Sequence, residues 1–138
     1  MNTLEINKHF KGYSCYAGTF ACDELPSNQL SKKPFALIMN TDPVDKPGQH
    51  WVAIFVDKHN NAEYFDSYGF PPLNVSVYKF FENQNVASFI HNTIQLQGVT
   101  ATTCGAYCIT FLKLRCQNIS FNEIILLDFN DETIKNVI

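Results

Sequence analysis

A thiol becomes chemically useful when it ionises, and the start of a helix favours the thiolate through unpaired N–H groups and the positive end of the helix dipole. Cys104 occupies such a place. From Cys104 to Cys116 the positions Cys104, Tyr107, Cys108, Phe111, Leu112 and Arg115 follow the i, i+3, i+4, i+7 spacing of one helix face, and Thr103 stands where a capping side chain belongs. Gly105 follows directly and would let a substrate backbone come close, while the N–H groups of that turn point toward any developing oxyanion. A thiolate also needs a base that can hold its proton near neutral pH. Of the four histidines only His50 abuts an apolar segment; His9, His59 and His91 sit in polar contexts. Asp66 lies on the next apolar segment, where an unpaired carboxylate would be costly and a partner such as His50 would remove the cost.

Plainer roles compete with these. A cysteine on the apolar face of a helix commonly fills the core, and a strand aspartate commonly serves as a hydrogen-bond acceptor. Cys104 and Cys108, one turn apart, could ligate a metal, but no second Cys/His pair at matching spacing completes four ligands, so no metal site is expected. Cys15, Cys22 and Cys116 read as small buried or half-buried groups, and Arg115 as a side chain reaching out of the core to solvent or an acid.

The elements that must bring these residues together can be read from the hydrophobic pattern. Pro34 to Asn40 and Trp51 to Val56 are continuous apolar runs between turn signals, as expected of strands covered on both faces. Asp57 to Asn61 is a polar turn and Ala62 to Tyr68 a third strand, antiparallel to the second. A simple turn there sets His50 opposite about Gly69, so Asp66 falls three residues out of register and a bulge or diagonal contact is required. Around this frame the sequence predicts a short helix over Leu4 to Phe10, a strand over Tyr16 to Ala21, a helix over Val75 to Phe89 and a short edge strand over Asn92 to Gln97. Ser120 and Glu123 form a capping box ahead of Ile124 to Phe129, and Asn130 can cap a last helix through Ile134 and Val137.

Composition narrows the classes of function. With 138 residues, 46% of them hydrophobic, and no repeat or flexible linker, the chain reads as a single domain over 1–138. Ten Lys+Arg against thirteen Asp+Glu give a formal net charge of −3 with scattered basic residues, which does not support a nucleic-acid partner. Met1 to Gly18 holds no apolar run of signal-peptide length and no other stretch is apolar over a membrane-spanning length, so neither secretion nor a membrane partner is expected. Five cysteines without paired CxxC spacing fit a reduced intracellular protein better than a disulfide framework.

Four segments in order, Gly48-Gln49-His50-Trp51, Phe65-Asp66-Ser67-Tyr68-Gly69-Phe70, Gln97-Gly98 and Cys104-Gly105, resemble the adenovirus protease (adenain) family, of the same clan as the SUMO-specific proteases. The similarity extends from about Tyr13 to Phe111. It implies an α+β fold, a central mixed or antiparallel sheet packed against helices with the nucleophile at a helix N-terminus. Carried over position by position, it makes His50 the base, Asp66 the group that orients it, Cys104 the nucleophile and Gln97 a lining of the oxyanion hole. The third member is Asp here and Glu in adenain, but the SUMO-protease branch uses Asp, and either carboxylate can orient an imidazole.

The resemblance also sets Trp51 beside the cleft, where it would narrow the approach to Cys104; a lone tryptophan filling the core is the other reading, and both stay open. Tyr16 to Asp23 resembles the family segment that flanks the substrate groove, which makes Asp23 a binding candidate, although a strand followed by a turn needs no such role. The implied substrate is a polypeptide with glycine near the cut, in capsid maturation of an adenovirus-like virus or virus-derived element, within host cytoplasm, nucleus or virion. Removal of ubiquitin or a ubiquitin-like modifier is a second enzymatic reading, and an inactive binding domain of the same fold a third. Adenain uses an activating viral peptide and DNA; no cysteine lies between Asp66 and Gln97 to link such a peptide, so neither cofactor is carried over and a monomer acting alone is expected.

Overall fold

The computed structural model describes residues 1–46, 50–96, 103–127, 130 and 134. Helix α1 (Thr3–His9) leads to strand β1 (Tyr16–Ala21), a single 3-10 turn (Cys22–Glu24), β2 (Phe35–Asn40), β3 (Trp51–Val56), β4 (Asn61–Phe65), α2 (Val75–Asn83), β5 (Ser88–His91), α3 (Cys104–Cys116) and α4 (Phe121–Ile125). The strands form one sheet in the order β1-β2-β3-β4-β5. Its inner pairs, β2 with β3 and β3 with β4, are antiparallel, while the outer pairs, β1 with β2 and β4 with β5, are parallel. The sheet is therefore mixed, and the fold is α+β.

The central strands read as unbroken apolar runs because both faces of the sheet are covered. Ala36, Ile38, Ala53, Phe55 and Phe65 face α1, α3 and α4, packing with Ile6, Phe10, Tyr107, Phe111 and Ile124. The alternate residues Leu37, Met39, Val52, Ile54 and Tyr64 face the other way, onto Val77, Phe80 and Phe81 of α2. Helix α3 is thus clamped against the middle of the sheet, and its first residue reaches the end of β3 at which His50 stands.

Arg115, near the end of α3, anchors that helix. Its guanidinium makes two parallel bonds to Glu63 on β4, Nε to Oε1 at 2.7 Å and Nη2 to Oε2 at 3.0 Å, and lies 4.2 Å from the centroid of Phe55. The expected acid partner is Glu63, but it is met inside the fold rather than at its surface. Burial drives the Glu63 carboxyl above its ordinary value, and the Arg115 bonds pull against that rise.

Three expectations need correction. Helix α2 ends at Asn83 rather than continuing to Phe89, because Asn85 turns into the left-handed region (φ 56°) and the Val86 N–H returns to the Phe81 carbonyl at 2.9 Å. The edge strand accordingly comes earlier: Ser88–His91 pairs parallel to β4, with Phe89 opposite Ala62, instead of a strand over 92–97. The cysteines are also not all free. Cys15, just before β1, and Cys116, at the end of α3, are joined in a disulfide across 101 residues of sequence, a distance at which no local pattern reveals a partner.

Smaller differences are matters of boundary. β4 stops at Phe65 rather than running to Tyr68, and the helix capped by Ser120 begins at Phe121. Ile134 donates to the Asn130 carbonyl at 2.9 Å; Phe129 and Val137 lie outside the described residues.

Candidate active site

Cys104 is the first residue of α3 and is 8% exposed. Thr103 precedes it as the N-cap residue, but its side chain makes no capping bond. The sulfur instead accepts from the Trp51 N–H at 3.4 Å, a main-chain donor left over where the β3 ladder ends. His50 is near enough to favour the ionised sulfur, and its Nε2 lies 2.7 Å from Asp66 Oδ1. With Nε2 on the carboxylate, Nδ1 is the ring nitrogen left for sulfur. The imidazole thus joins the carboxylate directly and is coupled electrostatically to the thiol.

The diagonal contact required by the sequence is made at the end of the hairpin. Ladder pairing closes with Ala53 opposite Phe65, and extending that register sets Tyr68, not Gly69, across from His50. The chain leaves the ladder at Asp66 and turns, Gly69 N–H donating to the Asp66 carbonyl at 2.8 Å and Tyr68 N–H to Asp66 Oδ1 at 2.8 Å. That turn swings the carboxylate back to the imidazole. Gly69 is needed there, since it has φ 79° and a Cβ would stand 3.0 Å from the Thr93 carbonyl oxygen. Tyr68 lays its ring beside the imidazole, centroids 4.9 Å apart.

The electrostatics follow from this arrangement. Burial alone would lower the His50 pKa, but the Asp66 bond, the Cys104 contact and the charges of both hold the imidazolium, so the pKa is pushed up to about 9. Burial alone would raise the Cys104 pKa, yet His50 and the N–H groups of Trp51 and Gly105 outweigh it and bring the thiol below its ordinary value. Both directions favour a thiolate–imidazolium pair. Cys108, one turn along and fully buried, is driven well up by desolvation and stays a thiol.

Asn92 escapes any reading of the sequence. It is buried, accepts the Asp66 N–H at 3.0 Å and donates to the Asp66 carbonyl at 2.6 Å. A single asparagine just beyond an edge strand carries no pattern that points to it. Beyond it, Leu96 is fixed by its N–H to the Ser67 carbonyl at 2.7 Å and by Tyr107 Oη donating to its own carbonyl at 3.0 Å. Gln97 itself lies outside the described residues.

No protein-family model matches the chain. Among curated proteins it is 32% identical over 141 residues to the cysteine protease S273R of African swine fever virus (isolate Tick/Malawi/Lil 20-1/1983), covering 95% of this chain and 50% of that protein. It is 29% identical over 112 residues to the protease of Snake adenovirus serotype 1, covering 72% of this chain and 55% of that one. The crystal structure of the African swine fever virus pS273R protease superposes with a TM-score of 0.73 at 22% identity, over 96% of this chain and 63% of that one. The chain belongs to the adenain-like cysteine protease family.

This adenain-like chain spans about half the length of the curated relatives it matches. Of the other residues singled out, Trp51 is partly buried, its indole N–H donating to the Met1 carbonyl at 3.1 Å. Gly105 is buried beneath that pair, and a Cβ on it would lie 3.3 Å from Met1 Sδ and 3.4 Å from Trp51 Cδ1. Asp23 is exposed and accepts the Val44 N–H at 2.9 Å, tying the turn after β1 to the loop after β2. Among the described residues no group of three His, Cys, Asp or Glu side chains is arranged to hold a metal, and no helix is long and apolar enough to cross a membrane.

Proposed function

We propose that the chain is a cysteine endopeptidase with Cys104 as nucleophile, His50 as general base and acid, and Asp66 as the group that orients the ring. The observation that carries this is the 2.7 Å bond from His50 Nε2 to Asp66, made at the end of β3 where the Trp51 N–H meets the Cys104 sulfur at a helix start. The thiolate attacks the scissile carbonyl carbon, and the electron pair moves onto oxygen. The Cys104 N–H, with the Gln97 side chain as the resemblance implies, would hold that oxyanion. Collapse of the intermediate breaks the C–N bond, and the imidazolium gives its proton to the leaving amine. Water, deprotonated by His50, then cleaves the thioester and restores the thiol.

A narrow approach suits glycine. Trp51, held by its bond to Met1, closes over Gly105 next to the nucleophile, and a substrate reaching Cys104 past that indole has little room for side chains. The substrate is a polypeptide with glycine near the cut, processed during maturation of virus proteins inside infected cells. Hydrolysis of a panel of glycine-containing peptides by the native chain and by Cys104→Ala tests the assignment. Turnover by the first and none by the second is expected; turnover by both overturns it. Fusions to a ubiquitin-like modifier in the same assay distinguish maturation from modifier removal by their kcat/KM.

A further inference from the structure

Beside the imidazole lies a cavity of about 530 Å³, in the size range of pockets that enclose a small ligand or a few residues of peptide. His50 and Asp66 form part of its wall, and Tyr64, Tyr68, Leu73 and Val75 are among the rest. Leu73 and Val75 are 80% and 78% exposed, and Phe70 at the rim is 56% exposed. Large apolar side chains clustered around a concavity and left in water mark a surface that meets a partner. Among the described residues of the lining the only ionisable groups besides tyrosines, His50 and Asp66, are bonded to each other, so the guest should be neutral and apolar. The shape is braced without a guest: Asn74 Nδ2 donates to the Thr41 carbonyl at 3.3 Å and Tyr78 Oη to the Pro72 carbonyl at 2.8 Å.

Its position decides which part of a substrate it meets. An imidazole that protonates the leaving nitrogen must lie within hydrogen-bond reach of it, so the polypeptide beyond that nitrogen leaves the site past the His50 ring. Trp51 and Met1 stand over Gly105 and line a different depression. Resting on the protease reading above, we infer that this cavity is a specificity pocket for a bulky apolar or aromatic side chain at one of the first two positions after the scissile bond. Such a pocket discriminates by burying hydrocarbon, and a large side chain against a small polar one is expected to differ by roughly 10- to 100-fold in kcat/KM.

The test uses internally quenched peptides that share one glycine-containing sequence before the cut and carry Phe, Leu, Ser, Asp or Lys at the first or second position after it. A second substrate, the same sequence ending in glycyl-aminomethylcoumarin, has no residue after the cut. The native protein is expected to cleave the Phe and Leu peptides 10-fold or more faster than Ser or Asp peptides. With Leu73→Asp and Val75→Asp combined, the ranking is expected to turn toward Lys. Cleavage of the coumarin substrate together with no discrimination among the peptides would overturn the pocket and leave the protease standing. A native preference that the double variant does not alter would place the discrimination elsewhere and likewise overturn it. No cleavage of either substrate type, with no alkylation of Cys104, would remove the protease reading and the pocket with it.

Discussion

Asn92 holds Asp66 by both main-chain groups, accepting its N–H at 3.0 Å and donating to its carbonyl at 2.6 Å, and so fixes the point where β4 leaves the sheet. Asn92→Ala would leave a buried N–H and a buried carbonyl without these partners. The expected loss of stability is about 2 kcal/mol or more. The carboxylate, no longer pinned, should drift from the imidazole and lower kcat on the order of 10- to 100-fold with little change in KM. Denaturant unfolding and steady-state kinetics read the two effects separately; a stable, fully active variant would show that the clasp is dispensable.

The thiolate–imidazolium pair predicts a pH profile whose sign can be worked out from the two shifts. His50 is raised from 6.5 to about 9, so its contribution to stability is complete below pH 6.5 and is lost as pH rises through about 9. Cys104 is lowered, so its contribution is present above the range of an unfolded cysteine and is lost as pH falls through the lowered value. kcat/KM should therefore climb on the acid side as Cys104 ionises and fall near pH 9 as His50 loses its proton. Asp66→Asn removes the carboxylate that helps hold that proton, and should bring the alkaline limb down by a measurable fraction of a unit or more while cutting kcat by about 100-fold or more. An alkaline limb that stays in place in Asp66→Asn would contradict the role given to Asp66.

Arg115 is the strongest test of how α3 is held. Replacing it with Met keeps much of the hydrocarbon over Phe55 but leaves Glu63 in a buried site without its cation. Breaking one half of a buried pair costs about 3–5 kcal/mol. Thermal unfolding of Arg115→Met should show that loss, and Glu63→Gln in the same background should recover part of it by removing the stranded charge. An Arg115→Met variant as stable as the parent would mean the pair is neutral to the fold.

The hydrophobic pattern made much of this legible. α3 runs over Cys104–Cys116 and β3 over Trp51–Val56, as expected, because each has an uninterrupted period and a clear boundary. The placement of Cys104 at a helix start and of His50 at a strand end was readable for the same reason. The pairing of His50 with Asp66 was legible as a need, but the turn that makes it was not, since it depends on where β4 abandons its ladder, and that is set by Asn92, distant in sequence, and by the backbone space around Gly69. The length of α2 escaped because a single left-handed asparagine, Asn85, outweighs the aromatic spacing that continues to Phe89. Cys15–Cys116 and Arg115–Glu63 are likewise long-range meetings created by packing.

Trp51 is the sole tryptophan of the chain; its main-chain N–H donates to the Cys104 sulfur at 3.4 Å, and its indole packs against the neighbouring Gly105. Its fluorescence should therefore report on the nucleophile. Alkylation of Cys104 is expected to shift or quench the emission in step with the loss of activity, and Met1→Ala, which removes the thioether packed near the indole, should change the starting spectrum. Emission that is blind to modification of Cys104 would mean the indole does not stand where it could narrow the approach.

The proposed chemistry turns on one sulfur held as a thiolate by His50. At pH 7, one equivalent of iodoacetamide should modify Cys104 ahead of Cys22 and Cys108, as located by peptide mass mapping, and peptide hydrolysis should disappear in proportion. His50→Ala should slow that modification by at least about tenfold, the thiol no longer being ionised by its partner. Preferential labelling of another cysteine, or a Cys104 reaction indifferent to His50→Ala, would contradict it.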